Sequence, residues 1–238
     1  MENAEKQWKS IYLIGGVVTI ITLIGILLDI VIGNVTGGNL AVLPRTAVKR
    51  FVQFHENCWL GLYNLDLLNA IDQIILIPAF FALFAAHREA NKGLGLLALI
   101  IFVFGSALMV ANNVALPMME LSNKYFMTGD EAQKVLYAAA GESLLVQGAH
   151  GSSGIFFGFF LPNVANLIMS VVMLKGGIFS KANGWIGIIG SILMMLYVAL
   201  VNFGSGIEKM ATAFAMPGGL LLMTWMILFT IKLFKLSK

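Results

Sequence analysis

Residues 11–33 read IYLIGGVVTIITLIGILLDIVIG, apolar almost throughout, with one carboxylate, Asp29, near the end. About 20 such residues cross the hydrocarbon core of a bilayer as an α-helix. The run is too long for the apolar segment of a secretory signal, and no small-x-small cleavage site closes it. It reads as a first transmembrane helix, and it sets the solvent in which the rest of the chain must fold.

The whole chain agrees with that reading. Hydrophobic residues make up 59% of the 238, charged residues only 11%, and the mean hydropathy is +0.88. Soluble domains carry about a quarter charged residues. The expected fold is an all-α polytopic membrane protein, a single transmembrane domain over 1–238. Its six transmembrane helices are expected at 11–33, 64–86, 94–116, 145–173, 184–204 and 213–234. Pro162 predicts a kink or tilt in the long fourth span. The sixth opens near PGG (217–219), which reads as a bent first turn or a re-entrant approach.

The net charge is +3. In a chain of this class a basic balance points to anionic headgroups, not to nucleic acid. Membrane lipids are the expected partners. The single cysteine, Cys58, excludes an internal disulfide and a cysteine-rich metal site. No cofactor is indicated. Under the six-span topology Lys6, Lys9, Arg88, Lys92, Lys175, Lys181, Lys232, Lys235 and Lys238 fall on one side. Arg45, Lys49, Arg50, Lys124, Lys134 and Lys209 fall on the other. The larger set marks the inside. The chain is therefore expected to be a multi-pass protein of the cell (cytoplasmic) membrane with both termini cytoplasmic.

Two outer loops have content. Residues 46–63, TAVKRFVQFHENCWLGLY, mix basic, apolar and aromatic residues, as an interfacial helix does. In 117–144 a helix is predicted to start with Thr128 as N-cap and Glu131 three residues later. The two loops together read as a lid over the outer face.

Polar groups then concentrate in NLDLLNAIDQ (64–73), at the head of the second span. On a helical wheel Asp66, Asn69 and Gln73 share an arc of about 60°, with Asp72 just beyond it. A carboxylate in hydrocarbon is expensive, so these groups should face protein or a wet cavity. They read as a ligand or proton site, or as a clasp between helices. Asn163, Asn166 and Ser170 share one face of span four, where Pro162 frees a carbonyl one turn earlier. Asn112 lies near the outer end of span three, and Gln147 and His150 near that of span four. The ligand-binding candidates are Asp66, Asn69, Asp72, Gln73, Asn112, Gln147, His150, Asn163 and Asn166.

His55 and His150 fall on the outer side and His87 on the inner. With Asp66 and Asp72 the two outer histidines are the candidate acid–base groups, and with Glu142 the candidate metal ligands. No HExxH spacing supports a metal, and Ser152 and Ser153 lack the GxSxG elbow of a nucleophile. His55 and His150 read better as interfacial or cavity residues. The residues favour binding or structure over catalysis.

Short matches suggest an internal repeat. VQFH (52–55) aligns with VQGAH (146–150), and at the same offset Asn69 meets Asn163 and Asp72 meets Asn166. Spans two and three would then be a parallel two-helix repeat of spans four and five. Gly15, Gly16, Gly187 and Gly190 make small-residue faces that suit a homodimer or packing within the chain.

The runs AGESLLVQGAHGSSGIFFGFFLPNVANLIMSVVMLKGGIFSKANGWIGIIG (140–190) and NLDLLNAIDQIILIPAFFALFAAHREANKGLG (64–95) carry a resemblance. They resemble the core of a prokaryotic integral membrane family, domain of unknown function 4386. The resemblance implies a bacterial or archaeal α-helical membrane protein of about six spans with no assigned activity. It carries over no catalytic residue. Three functions remain open. The chain could bind a small solute or lipid in an outward-facing polar cavity, for transport or sensing. It could be a structural or accessory subunit. It could be a membrane-embedded lipid-processing enzyme using histidine and aspartate.

Overall fold

The computed structural model describes residues 2–36, 43–204 and 207–238, with the side chains of residues 2–7, 208 and 209 excepted. Part of the 34–63 loop and the side chains of Lys6 and Lys209 thus lie outside the described residues. Among the described residues ten helices follow in order: α1 Glu2–Val35, α2 Ala47–Glu56, α3 Cys58–Tyr63, α4 Leu67–His87, α5 Lys92–Asn112, α6 Ala115–Met127, α7 Glu131–Gly148, α8 Phe156–Gly176, α9 Lys181–Phe203 and α10 Glu208–Leu236.

Among the described residues six apolar segments are long enough to cross a membrane, carried by α1, α4, α5 with α6, α8, α9 and α10. The long helices pack in a closed ring, α1 on α4, α4 on α5, α5 on α8, α8 on α9, α9 on α10, and α10 back on α1. Trp225, Phe80, Phe102, Met169 and Met173 fill its interior. Leucines, isoleucines and valines such as Leu13, Ile24, Leu97, Ile189 and Ile231 stay exposed on the outside. An apolar exterior around an apolar core is what a lipid solvent permits. Lys9 Nζ donates to the carbonyl oxygen of Lys238 at 2.8 Å, so the two ends of the chain meet at one end of the ring.

The short helices α2, α3, α6 and α7 gather at the opposite end as a cap. Ala47, Phe51, Phe54, Leu65, Met118 and Leu145 are its core. Ser122 Oγ donates to the carbonyl of Phe51 at 2.8 Å and ties α6 to α2. The lone thiol, Cys58, is exposed at the start of α3. The cap on α7 differs from the expected one. Asp130 accepts from the Ala132 amide at 2.9 Å and is the N-cap, while Thr128 ends α6.

Two expected spans are interrupted. The helix expected over 145–173 ends at Gly148 and resumes at Phe156. Ala149 turns extended, Gly151 takes φ +79°, and GAHGSSG offers little to hold a helix. The span expected over 94–116 breaks at Asn113. Pro117 clashes with the carbonyl of the residue four before it, which is Asn113. Pro117 then sits in the first turn of α6, where its missing N–H costs nothing. The two interruptions meet. A Cβ on Gly148 would overlap the Asn112 carbonyl and Val114. The sixth span is one helix, α10, running through Pro217 without a re-entrant turn.

The four glycines that suited a dimer are occupied within the chain. Gly15 faces Ala82, Gly16 faces Phe234, Gly187 faces Ser170 and Trp225, and Gly190 faces Leu221 and Leu222. Glycine lets these backbones approach where the solvent supplies no hydrophobic drive.

Candidate functional site

The cap encloses a recess of about 450 Å³ where α2, α7, the 149–155 break and the end of α9 meet. Arg50, Glu142, His150 and Ser152 are its polar lining, with Arg45 at the exposed edge. α2 carries Arg50 there by its periodicity. The buried face of α2 is Ala47, Arg50, Phe51 and Phe54, the spacing of an amphipathic stripe with an arginine at a core position. Only 3% of Arg50 is exposed. One terminal nitrogen donates to Gln53 Oε1 at 3.1 Å, and Nε has no partner among the described residues. Burial pulls Arg50 down to about 10, partly offset by the Asp66 carboxylate. It stays charged at neutral pH.

His150 stands in the break between α7 and α8. Its Nδ1 donates to Asp66 Oδ2 at 3.0 Å, and its Nε2 lies 3.0 Å from the Tyr197 hydroxyl. Asp66 caps the start of α4 in a left-handed conformation, φ 59° and ψ 25°. Aspartate tolerates that region better than most residues. Asn69 Nδ2 donates to the other carboxylate oxygen at 2.9 Å. Asn113 Nδ2 donates to the Leu65 carbonyl at 2.8 Å and pins the same turn. Burial pulls His150 down, but the charge and hydrogen bond of Asp66, with Asp29 beyond it, outweigh burial and the opposing Arg50. The net shift is upward. Nearby, Tyr63 donates to the Asp29 carbonyl at 2.9 Å. Burial and then the Asp29 carboxylate push its phenol up to about 12.

The other candidates divide by helix, so the stripe drawn on span two does not hold together. Asp66 precedes the helix and belongs to the turn. Asp72 points from α4 toward α1, where its carboxylate fills the space a Cβ on Gly25 would take. Gln73 reaches α8 instead, donating to the Gly158 carbonyl at 3.3 Å. That carbonyl is the one Pro162 frees. Asn112 accepts from Gln147 at 3.3 Å across the two helix breaks. Asn163 turns back on the Phe159 carbonyl of its own helix at 2.9 Å, and Asn166 Oδ1 is buried without a partner.

The metal set His55, His150 and Glu142 is not assembled. His55 stacks on Phe126 with ring centroids 4.1 Å apart. Glu142 accepts from the Ala47 amide at 2.7 Å. Among the described residues no three His, Cys, Asp or Glu side chains converge on one point. His87 is at the terminal end of the ring, with Nδ1 2.8 Å from the Leu83 carbonyl. Arg50 and Tyr197 were absent from the sequence candidates. The signal for Arg50 was available, as the one charge on the apolar face of α2.

A ring of six apolar helices with a helical cap over one end defines a polytopic integral membrane protein. The chain matches the family model described as Domain of unknown function (DUF4386) over residues 11–230, and it belongs to that family. No curated protein and no solved structure matches it.

Proposed function

We propose that this chain is a small membrane binding protein whose capped recess takes up a polar solute or a lipid headgroup, for transport or sensing. The observation that carries the reading is the polar lining of that recess, with the nearly buried Arg50 at its wall. Pockets that take small ligands hold a few convergent polar groups in this way. The recess would face outward, with both termini cytoplasmic. The excess of lysine and arginine at the end where Lys9 meets Lys238 supports that orientation.

Within this reading His150 is a ligand-site residue, Asp66 orients it, and Asn69 holds Asp66. Gln73, Asn112 and Gln147 join helices, as their bonds support. An ancestral duplication of the two-helix unit also belongs to the proposal. It would explain why short cap helices precede both α4 and α8. A catalytic role is less supported, because the hydroxyl that lines the recess, Ser152 Oγ, has no base bonded to it among the described residues.

Native mass spectrometry of the full chain released from mild detergent tests the reading. A retained small molecule should be found, and Val146→Trp should displace it, because Val146 is 68% exposed at the recess. A wild-type chain as empty as that variant sinks the proposal.

A further inference from the structure

Resting on the binding reading above, we propose that the recess is a site for a phosphoryl oxyanion, anchored by the guanidinium of Arg50. A free phosphate and the phosphate of a lipid headgroup share that chemistry. Arg50 is buried with its Nε unpartnered, and no carboxylate of the described residues lies within ion-pairing distance of it. A buried charge left in that state is costly, and proteins keep one where something negative meets it. Glu142, the carboxylate in the same recess, is held by the Ala47 amide. The Asp66 carboxylate is taken by His150 and Asn69. Both carboxylates thus have donors of their own, whereas the only hydrogen bond of the Arg50 guanidinium among the described residues is to the neutral Gln53 amide oxygen, from one terminal nitrogen.

A second donor points the same way. Ser152 Oγ is buried, has no partner among the described residues and lines the recess. Arg45 adds a positive charge at the edge. A planar guanidinium and a hydroxyl lining one recess suit tetrahedral oxyanions. The volume of about 450 Å³ exceeds a single ion, leaving room for the group that carries the phosphate.

The test uses the full chain in dodecyl maltoside with three probes: inorganic phosphate, dihexanoyl phosphatidate and neutral dihexanoylglycerol. Binding is read by titration calorimetry and by the shift in thermal midpoint. Saturable binding of a phosphorylated probe is expected. It should weaken at least ten-fold in Arg50→Gln, persist in part in Arg50→Lys, and vanish in Val146→Trp. Phosphate binding alone assigns a soluble anion; phosphatidate alone assigns a headgroup. Should Arg50→Gln fail to fold, Ser152→Ala and Val146→Trp still decide, since both keep the buried charge and should weaken binding. Dihexanoylglycerol binding as tightly as phosphatidate overturns the oxyanion. So does a phosphorylated probe that binds equally to all variants, or the failure of both phosphorylated probes to bind. In each of these cases a retained molecule that Val146→Trp displaces leaves the binding reading standing. Its absence removes both.

Discussion

Gln73 of α4 donates through Nε2 to the carbonyl of Gly158 in α8 at 3.3 Å. Pro162 has no N–H to offer that carbonyl, so the acceptor is available to a neighbouring helix. The same turn packs closely on α5. A Cβ on Gly158 would overlap the Met109 backbone, and one on Gly105 would overlap the Pro162 ring. A proline in one helix thus creates the polar contact that another helix answers.

Removing the donor should therefore be felt only while the proline is present. Gln73→Leu is expected to lower stability by about 0.5–1.5 kcal/mol, the range of interhelical bonds in membranes. In a Pro162→Ala background the helix can bond Gly158 itself, and the cost of Gln73→Leu should shrink. Unfolding of the wild type, the two single variants and the double variant in mixed micelles gives the coupling. A coupling of zero disproves the link.

Gly25 and Asp72 should behave as a pair of complementary shapes. Gly25→Ala drives a methyl group into the Asp72 carboxylate and should cost about 1–3 kcal/mol, as overpacking does. Asp72→Ala should rescue it, whereas Asp72→Asn, with the same outline, should not. Asp72→Asn alone should fold well, since the amide no longer carries a charge into the bundle. Thermal midpoints of the five proteins check this, and rescue by the asparagine would refute it.

The His150–Asp66 pair predicts a pH dependence with a definite sign. The folded value of His150 is raised above 6.5 by Asp66 and Asp29 acting against burial and Arg50, with the Tyr197 hydroxyl on the other nitrogen. A raised histidine stabilises most below its ordinary value and loses that contribution as pH climbs through the folded one. The thermal midpoint should therefore fall as pH rises above 6.5. His150→Gln or Asp66→Asn should flatten this slope. A slope unchanged in both variants would mean that another group titrates.

The break between α7 and α8 should depend on Gly151 and not on its polar neighbour. At φ +79°, with Val201 close by, Gly151→Ala should cost about 1–2 kcal/mol. Ser153→Ala, at an exposed position, should be near neutral. Equal midpoints for the two variants would show that the left-handed turn is dispensable.

The apolar spans were legible because hydropathy over about 20 residues is a strong, local signal. The breaks were not, because apolar residues resume on both sides of each one and hydropathy over a whole span averages across the few polar residues between them. The deciding residues were Pro117, acting four positions upstream on Asn113, and the glycines around His150. The wheel drawn on NLDLLNAIDQ assumed a helix from its first residue. Asp66 instead sits in a left-handed turn, which moved its carboxylate to His150 and separated it from Asp72. The Asp66–His150 contact joins residues far apart in the chain, and spacing alone could not reveal it. Arg50 could have been found, since a charge on the buried stripe of an amphipathic helix needs a reason.

Cys58 is the chain's only thiol and lies exposed on the cap, at the end of the ring away from Lys9 and Lys238. The unmodified protein thus carries a single-site label on the face whose sidedness matters. A membrane-impermeant maleimide applied to intact cells reports directly which compartment the cap faces. A fluorophore on the same sulfur can follow the cap as the recess fills, with no engineered residue in the chain.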